Sequence, residues 1–143
     1  MSVPDRLEKD RCALLLIDVQ DRFRDRIHEM PVVIRGCSRL LRFCERLAIP
    51  IVATEHYTKG LGTTVPELSE LVGGWAPLEK ITFSCDGDAA FREALAGTGR
   101  DQAVLCGIET HVCVLQTALD LGEAGYIPVV VEDQFDTVPV VVG

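Results

Sequence analysis

Five short apolar runs, separated by stretches of helical period, set the frame of this chain. The runs are 13–17 (Ala13-Leu14-Leu15-Leu16-Ile17), 50–54, a brief one near 78–80, 103–107 and 127–131. Between the first two, Pro31 opens a helical pattern reaching about Leu47, with Cys37, Leu40, Leu41, Cys44 and Leu47 on one face. The second run leads into Glu55-His56-Tyr57 and a glycine-bearing loop, 58–64. Val65, Leu68, Leu71 and Val72 then read as a short helix stopped by Gly73-Gly74. Asp86 is placed to cap a helix carrying Ala90, Phe91, Ala94 and Leu95, and Thr110 to cap another from His111 to about Glu123. Strands alternating with helices predict βαβ units. The expected fold is therefore α/β, a doubly wound and mostly parallel sheet flanked by helices in three layers.

The C-terminal end breaks the pattern. Only a dozen residues, Glu132 to Gly143, follow the fifth run. A parallel strand needs a crossover of about a dozen residues or more, so none fits. Val140-Val141-Val142 can pair only by folding back antiparallel or by joining another chain.

Composition narrows the class. The 143 residues are read as a single domain, 1–143, with ordinary proportions of apolar (48%) and charged (25%) side chains. A net charge of −8 opposes nucleic acid or an anionic membrane as partner. No secretory leader and no run near the ~20 residues of a membrane span is visible, so the expected compartment is the cytoplasm. Six cysteines include no Cys-x-x-Cys pair, which speaks against a zinc ribbon or a dithiol redox motif. Cys12, Cys37, Cys44 and Cys106 read as small buried hydrophobes.

Asp18, Lys80 and Cys113 carry the candidate chemistry. Each stands at or just past the end of an apolar run, and open α/β sheets bind ligands at the carboxyl ends of their strands. An acid, a cation and a thiol at one such edge read as a base, an electrostatic positioner and a nucleophile. With Thr110 as the cap, Cys113 falls in the first helical turn, where free N–H groups favour a thiolate. Each residue has a plain structural alternative: Asp18 a loop or capping residue, Lys80 a surface lysine, Cys113 a core cysteine beside Val112, Val114 and Leu115.

Taken together, three blocks resemble the signature of the isochorismatase-like cysteine hydrolases. They are Ile17-Asp18-Val19-Gln20, the Lys80 segment ending in Phe83-Ser84, and Gly107-Ile108-Glu109-Thr110-His111-Val112-Cys113-Val114. The stretch from Thr54 to Leu68 resembles the isochorismatase-domain-containing hydrolases within that family, and the match covers about residues 10–133. The resemblance implies Cys113 as nucleophile, Asp18 as its base and Lys80 as the cation tuning both. It also implies a cis peptide at Ile108-Glu109 and an oxyanion hole from the backbone N–H groups of Glu109 and Cys113. The implied reaction is hydrolysis of a small amide-like substrate through a thioester. Gln20, Phe23, His56, Tyr57, Leu61 and Trp75 are expected around the pocket.

Departures from the family refine this. Its nicotinamidases hold a metal with an acid and several histidines. This chain has three histidines in all, His28, His56 and His111, so no metal and no cofactor are expected. Its true isochorismatases lack the nucleophilic cysteine, which is present here. Family members continue past the segment matching Val129 to Asp133 with a further helix and strand, whereas 134–143 is an atypical tail. A homo-oligomer is expected. The competing reading is a catalytically inactive, truncated member acting in binding or oligomerisation.

Overall fold

The computed structural model describes residues 6–27, 29–80, 85–108, 113–132 and 138–141. Six strands form one sheet: β1 Cys12–Ile17, β2 Ile51–His56, β3 Leu78–Lys80, β4 Gln102–Gly107, β5 Ile127–Glu132 and β6 Val138–Val141. Their order is β3-β2-β1-β4-β5-β6. The first five run parallel, and β6 folds back antiparallel on β5, pairing Val130 with Val140. The expected α/β architecture is thus observed, with the last strand antiparallel.

β1 lies at the centre and every one of its residues is buried, which explains its unbroken apolar run. Side-chain alternation sorts that run between two cores. Cys12, Leu14 and Leu16 meet helix α1 (Met30–Arg46) and the short helix α3 (Pro66–Ser69), while Ala13, Leu15 and Ile17 join the core of α4 (Ala89–Gly97) and α5 (Leu115–Glu123). α1 buries Met30, Val33, Ile34, Cys37, Leu41 and Cys44 at helical spacing, with Pro31 in its first turn. A four-residue helix, α2 (Thr58–Leu61), occupies what reads in sequence as open loop.

One cap differs from expectation. Asp88, not Asp86, is the N-cap of α4, its carboxylate accepting from the Phe91 N–H at 3.2 Å. The chain makes a tight turn at Cys85–Gly87 first, so the helix starts later. The expected cap Thr110 lies outside the described residues. Cys113 and Val114 form a widened π-type turn ahead of α5.

The order of the strands reverses between β1 and β4, and this is where a doubly wound sheet opens a crevice at its carboxyl edge. Gly107 ends β4 there with φ +152°, and a Cβ on it would fall 2.1 Å from the Ile17 carbonyl oxygen. Only glycine allows so close an approach.

Candidate active site

Asp18 follows β1 directly, in the left-handed region (φ 56°), a conformation aspartate tolerates better than most residues. That twist turns its carboxylate back over the sheet edge. Lys80 ends β3 two strands away. Cys113 stands before α5 on the other side of β1. The register Ile17↔Thr54 and His56↔Lys80 brings these ends level.

The three side chains meet. Lys80 Nζ donates to Asp18 Oδ2 at 3.0 Å and lies 3.9 Å from Cys113 Sγ. All three are buried, Cys113 being 5% exposed. Taking a carboxylate and an ammonium out of water is costly, and here the ion pair and added hydrogen bonds offset that cost. Asp18 Oδ1 accepts from Thr54 Oγ1 at 2.8 Å.

The thiol differs from the sequence expectation. Burial, then the negative charge of Asp18 and a hydrogen bond to it, push Cys113 up to about 12, while Lys80 acts in the opposite direction. Burial, the largest of these causes, disfavours the charged sulfur more than the Lys80 ammonium favours it.

Three polar residues that sequence spacing did not single out complete the surroundings. Thr54, Cys85 and Thr117 are buried beside the triad. Cys85 Sγ donates to Thr54 Oγ1 at 3.7 Å, the Cys85 N–H donates to Thr117 Oγ1 at 2.9 Å, and Thr117 Oγ1 donates to the Cys113 carbonyl at 2.5 Å. Their one signal was a hydroxyl or thiol inside apolar surroundings.

The expected pocket residues separate into groups. Gln20 has its amide engaged by backbone: Oε1 accepts from the His56 N–H at 2.7 Å, and Nε2 donates to the carbonyls of His56 (2.9 Å) and Gly62 (2.7 Å). It clamps the loop after β2 rather than offering a group to a ligand. The buried Glu55 carboxylate does similar work, accepting from Thr64 N–H at 2.7 Å and Thr64 Oγ1 at 2.8 Å. Phe23 is core, and Leu61 packs against the same cluster. Tyr57 is 54% exposed, with its N–H donating to the Lys80 carbonyl at 3.2 Å, and His56 pairs in register with Lys80. Trp75 lines a groove of about 490 Å³ with Cys44, Ile49, Pro50 and Ile51, at the amino end of β2, and so away from the edge that carries Asp18. The oxyanion donor at Glu109, the cis peptide at Ile108-Glu109 and His111 lie outside the described residues. Among the described residues, no group of three or more His, Cys, Asp or Glu is arranged to hold a metal. No described helix is long and apolar enough to cross a membrane.

Comparison with known proteins follows this geometry. Residues 12–139 match the isochorismatase domain. Isochorismatase domain-containing protein 2 of Danio rerio is 40% identical over 120 residues, covering 84% of this chain and 60% of the relative. The chain thus spans well under two thirds of that protein. Among solved structures, the MAR1 ribonuclease of Caenorhabditis elegans superposes with a TM-score of 0.83 at 38% identity, covering 90% of this chain and 66% of the other. The YcaC gene product of Escherichia coli, an octameric hydrolase of unknown specificity, gives 0.85 at 26% identity, covering 96% and 69%.

Proposed function

Because the chain belongs to the isochorismatase family, we propose that it is a cysteine hydrolase acting on a small amide-like substrate without metal or cofactor. One observation supports this most: a buried Asp18–Lys80 ion pair at 3.0 Å with the Cys113 sulfur 3.9 Å from the same ammonium. A carboxylate, a cation and a thiol withdrawn together from water have little structural reason to be there.

In the proposed reaction, Asp18 takes the Cys113 proton as the sulfur attacks the substrate carbonyl. Backbone N–H groups of Glu109 and Cys113 hold the oxyanion. As the C–N bond breaks, protonated Asp18 returns its proton to the departing amine. Water, activated by the regenerated carboxylate, then attacks the thioester and releases the acid. Lys80 orients the Asp18 carboxylate through their ion pair. His56, Tyr57 and Leu61 border the substrate, while Gln20 holds their loop.

The test is a panel of small aliphatic and aromatic primary amides, scored by ammonia release. Cys113→Ala is expected to lose about 10³-fold or more of any turnover. Turnover that survives this substitution overturns the reading. Loss of every activity in the unaltered protein, under conditions where it is folded, favours the inactive binding or oligomerisation alternative. The ribonuclease designation of one structural relative brings RNA cleavage as a second reading. The net charge of −8 opposes it, and an RNA degradation assay on the same preparations decides. We further propose a cytoplasmic homo-oligomer, following the octameric relative, to be checked by light scattering.

A further inference from the structure

Resting on the hydrolase reading above, we infer that Thr54 is a positioning residue that fixes the Asp18 carboxylate for proton transfer from Cys113, and that Cys85 locks the Thr54 hydroxyl into that role.

Both oxygens of Asp18 are engaged. Oδ2 receives the Lys80 ammonium at 3.0 Å, and Oδ1 receives the Thr54 hydroxyl at 2.8 Å. Donors on both oxygens, from β3 and from β2, leave the carboxylate no free rotation about its terminal torsion. A base must present a lone pair to the proton within hydrogen-bond reach, so the orientation of this plane is part of the chemistry.

Thr54 has one proton to give. Free to rotate, the hydroxyl would spend part of its time pointing elsewhere. Cys85 removes that freedom: its thiol donates to Thr54 Oγ1 at 3.7 Å, occupying the acceptor side and leaving the hydroxyl proton for Asp18. Burial pushes the Cys85 thiol up, against the opposing effects of Thr117 and Lys80, which keeps it a donor through neutral pH. The relay runs Cys85 S–H to Thr54 O–H to Asp18, with each proton staying on its own atom.

The remaining contacts fit a built assembly. Thr54 pairs in register with Ile17, the residue just before Asp18, and the Asp18 N–H donates to the Thr54 carbonyl at 3.2 Å. The same residue therefore holds both backbone and side chain of the base. Cys85 is tied through Thr117 to the carbonyl of Cys113. The titratable groups facing Asp18 come from each neighbouring element: Lys80 from β3, Cys85 from the turn before α4, and Cys113 from the turn before α5.

The expected signature is specific. Hydrogen bonds to a carboxylate favour its charged form. Removing the Thr54 hydroxyl withdraws a hydrogen bond that favours the charged carboxylate, as well as letting the Asp18 plane rotate. The experiment is the pH–rate profile for iodoacetamide alkylation of Cys113, resolved by peptide mass spectrometry, in the unaltered chain, Thr54→Val, Thr54→Ser, Cys85→Ala and Asp18→Asn, with thermal melts alongside. Thr54→Val is expected to slow the plateau rate by about tenfold or more, the scale of a hydrogen bond to a charged group, and to move the acid limb to higher pH. Thr54→Ser restores both. Cys85→Ala shifts the limb in the same direction by less.

A profile of Thr54→Val coincident with the unaltered chain, while Asp18→Asn is slow, overturns this inference and leaves the hydrolase reading standing. Should the valine variant fail to fold, a Cys85→Ala profile coincident with the unaltered chain overturns it equally. An unreactive Cys113 in the unaltered chain, or an Asp18→Asn variant that reacts like it, overturns the hydrolase reading itself.

Discussion

Asp18 is held by an ammonium on one oxygen and a hydroxyl on the other, and this decides what substitutions around it cost. Lys80→Ala leaves a buried carboxylate without its cation, so a loss of about 3–5 kcal/mol is expected in urea unfolding. Much of that loss is recovered in the double variant Asp18→Asn/Lys80→Met, which removes both charges. The thiols predict a pH dependence. Cys44 and Cys113 are raised by burial from 9.0 to about 11 and about 12. An unfolded thiol ionises at its lower ordinary value while the folded one does not. Their stabilising contribution is therefore complete below pH 9 and is lost as pH rises toward 11 and 12. Thermal melts in reductant should show Cys44→Ala losing less stability than the unaltered chain between pH 9 and 11. Asp18, Lys80 and Cys113 stood out in the sequence because the first two end apolar runs and the third follows one at the start of a helix, positions with a functional meaning in this fold. Thr54 and Cys85 were not. Their role depends on which residues lie opposite across strands, and that register is not written in local spacing. The thiolate expected at Cys113 rested on its helix position and on the Lys80 ammonium, whereas burial and the nearby Asp18 charge push the thiol up.

The elements follow the hydrophobic pattern closely, because burial on two faces of a parallel strand leaves an unbroken apolar run and helices show their period. Ends are set by finer contacts. Asp86 and Asp88 both precede the same apolar helix face, and the hydrogen bond from the Phe91 N–H identifies Asp88 as the cap. Asp88→Ala is expected to cost about 1 kcal/mol in chemical denaturation. Gly107 is a sharper case. A methyl group there meets the Ile17 carbonyl and must part β1 from β4 at the crevice. Gly107→Ala should cost about 3 kcal/mol and slow Cys113 alkylation together with it, read by melts and peptide mapping.

At the scale of the whole molecule, the sheet ends on one side with an antiparallel strand. β6 covers the edge that β5 would otherwise present, and unpaired edges invite association. Ending the chain at Glu132 is expected to give concentration-dependent aggregation by light scattering, whereas the full 143 residues remain dispersed. The sequence left two options for these valines, an antiparallel return or pairing with another chain, and the structure shows the first. The separation of Trp75 from the site is also a whole-molecule fact: its neighbours Ile49 to Ile51 open β2, and Asp18 lies at the far end of the sheet. What unites these scales is a claim about one sulfur. The most direct measurement is iodoacetamide alkylation of the folded protein at neutral pH, with all six cysteines followed by peptide mass spectrometry in the unaltered chain and in Asp18→Asn. The account predicts that Cys113 reacts fastest of the six and slows by about tenfold or more in the variant. Equal rates at all six cysteines, or a Cys113 rate indifferent to Asp18, would contradict it.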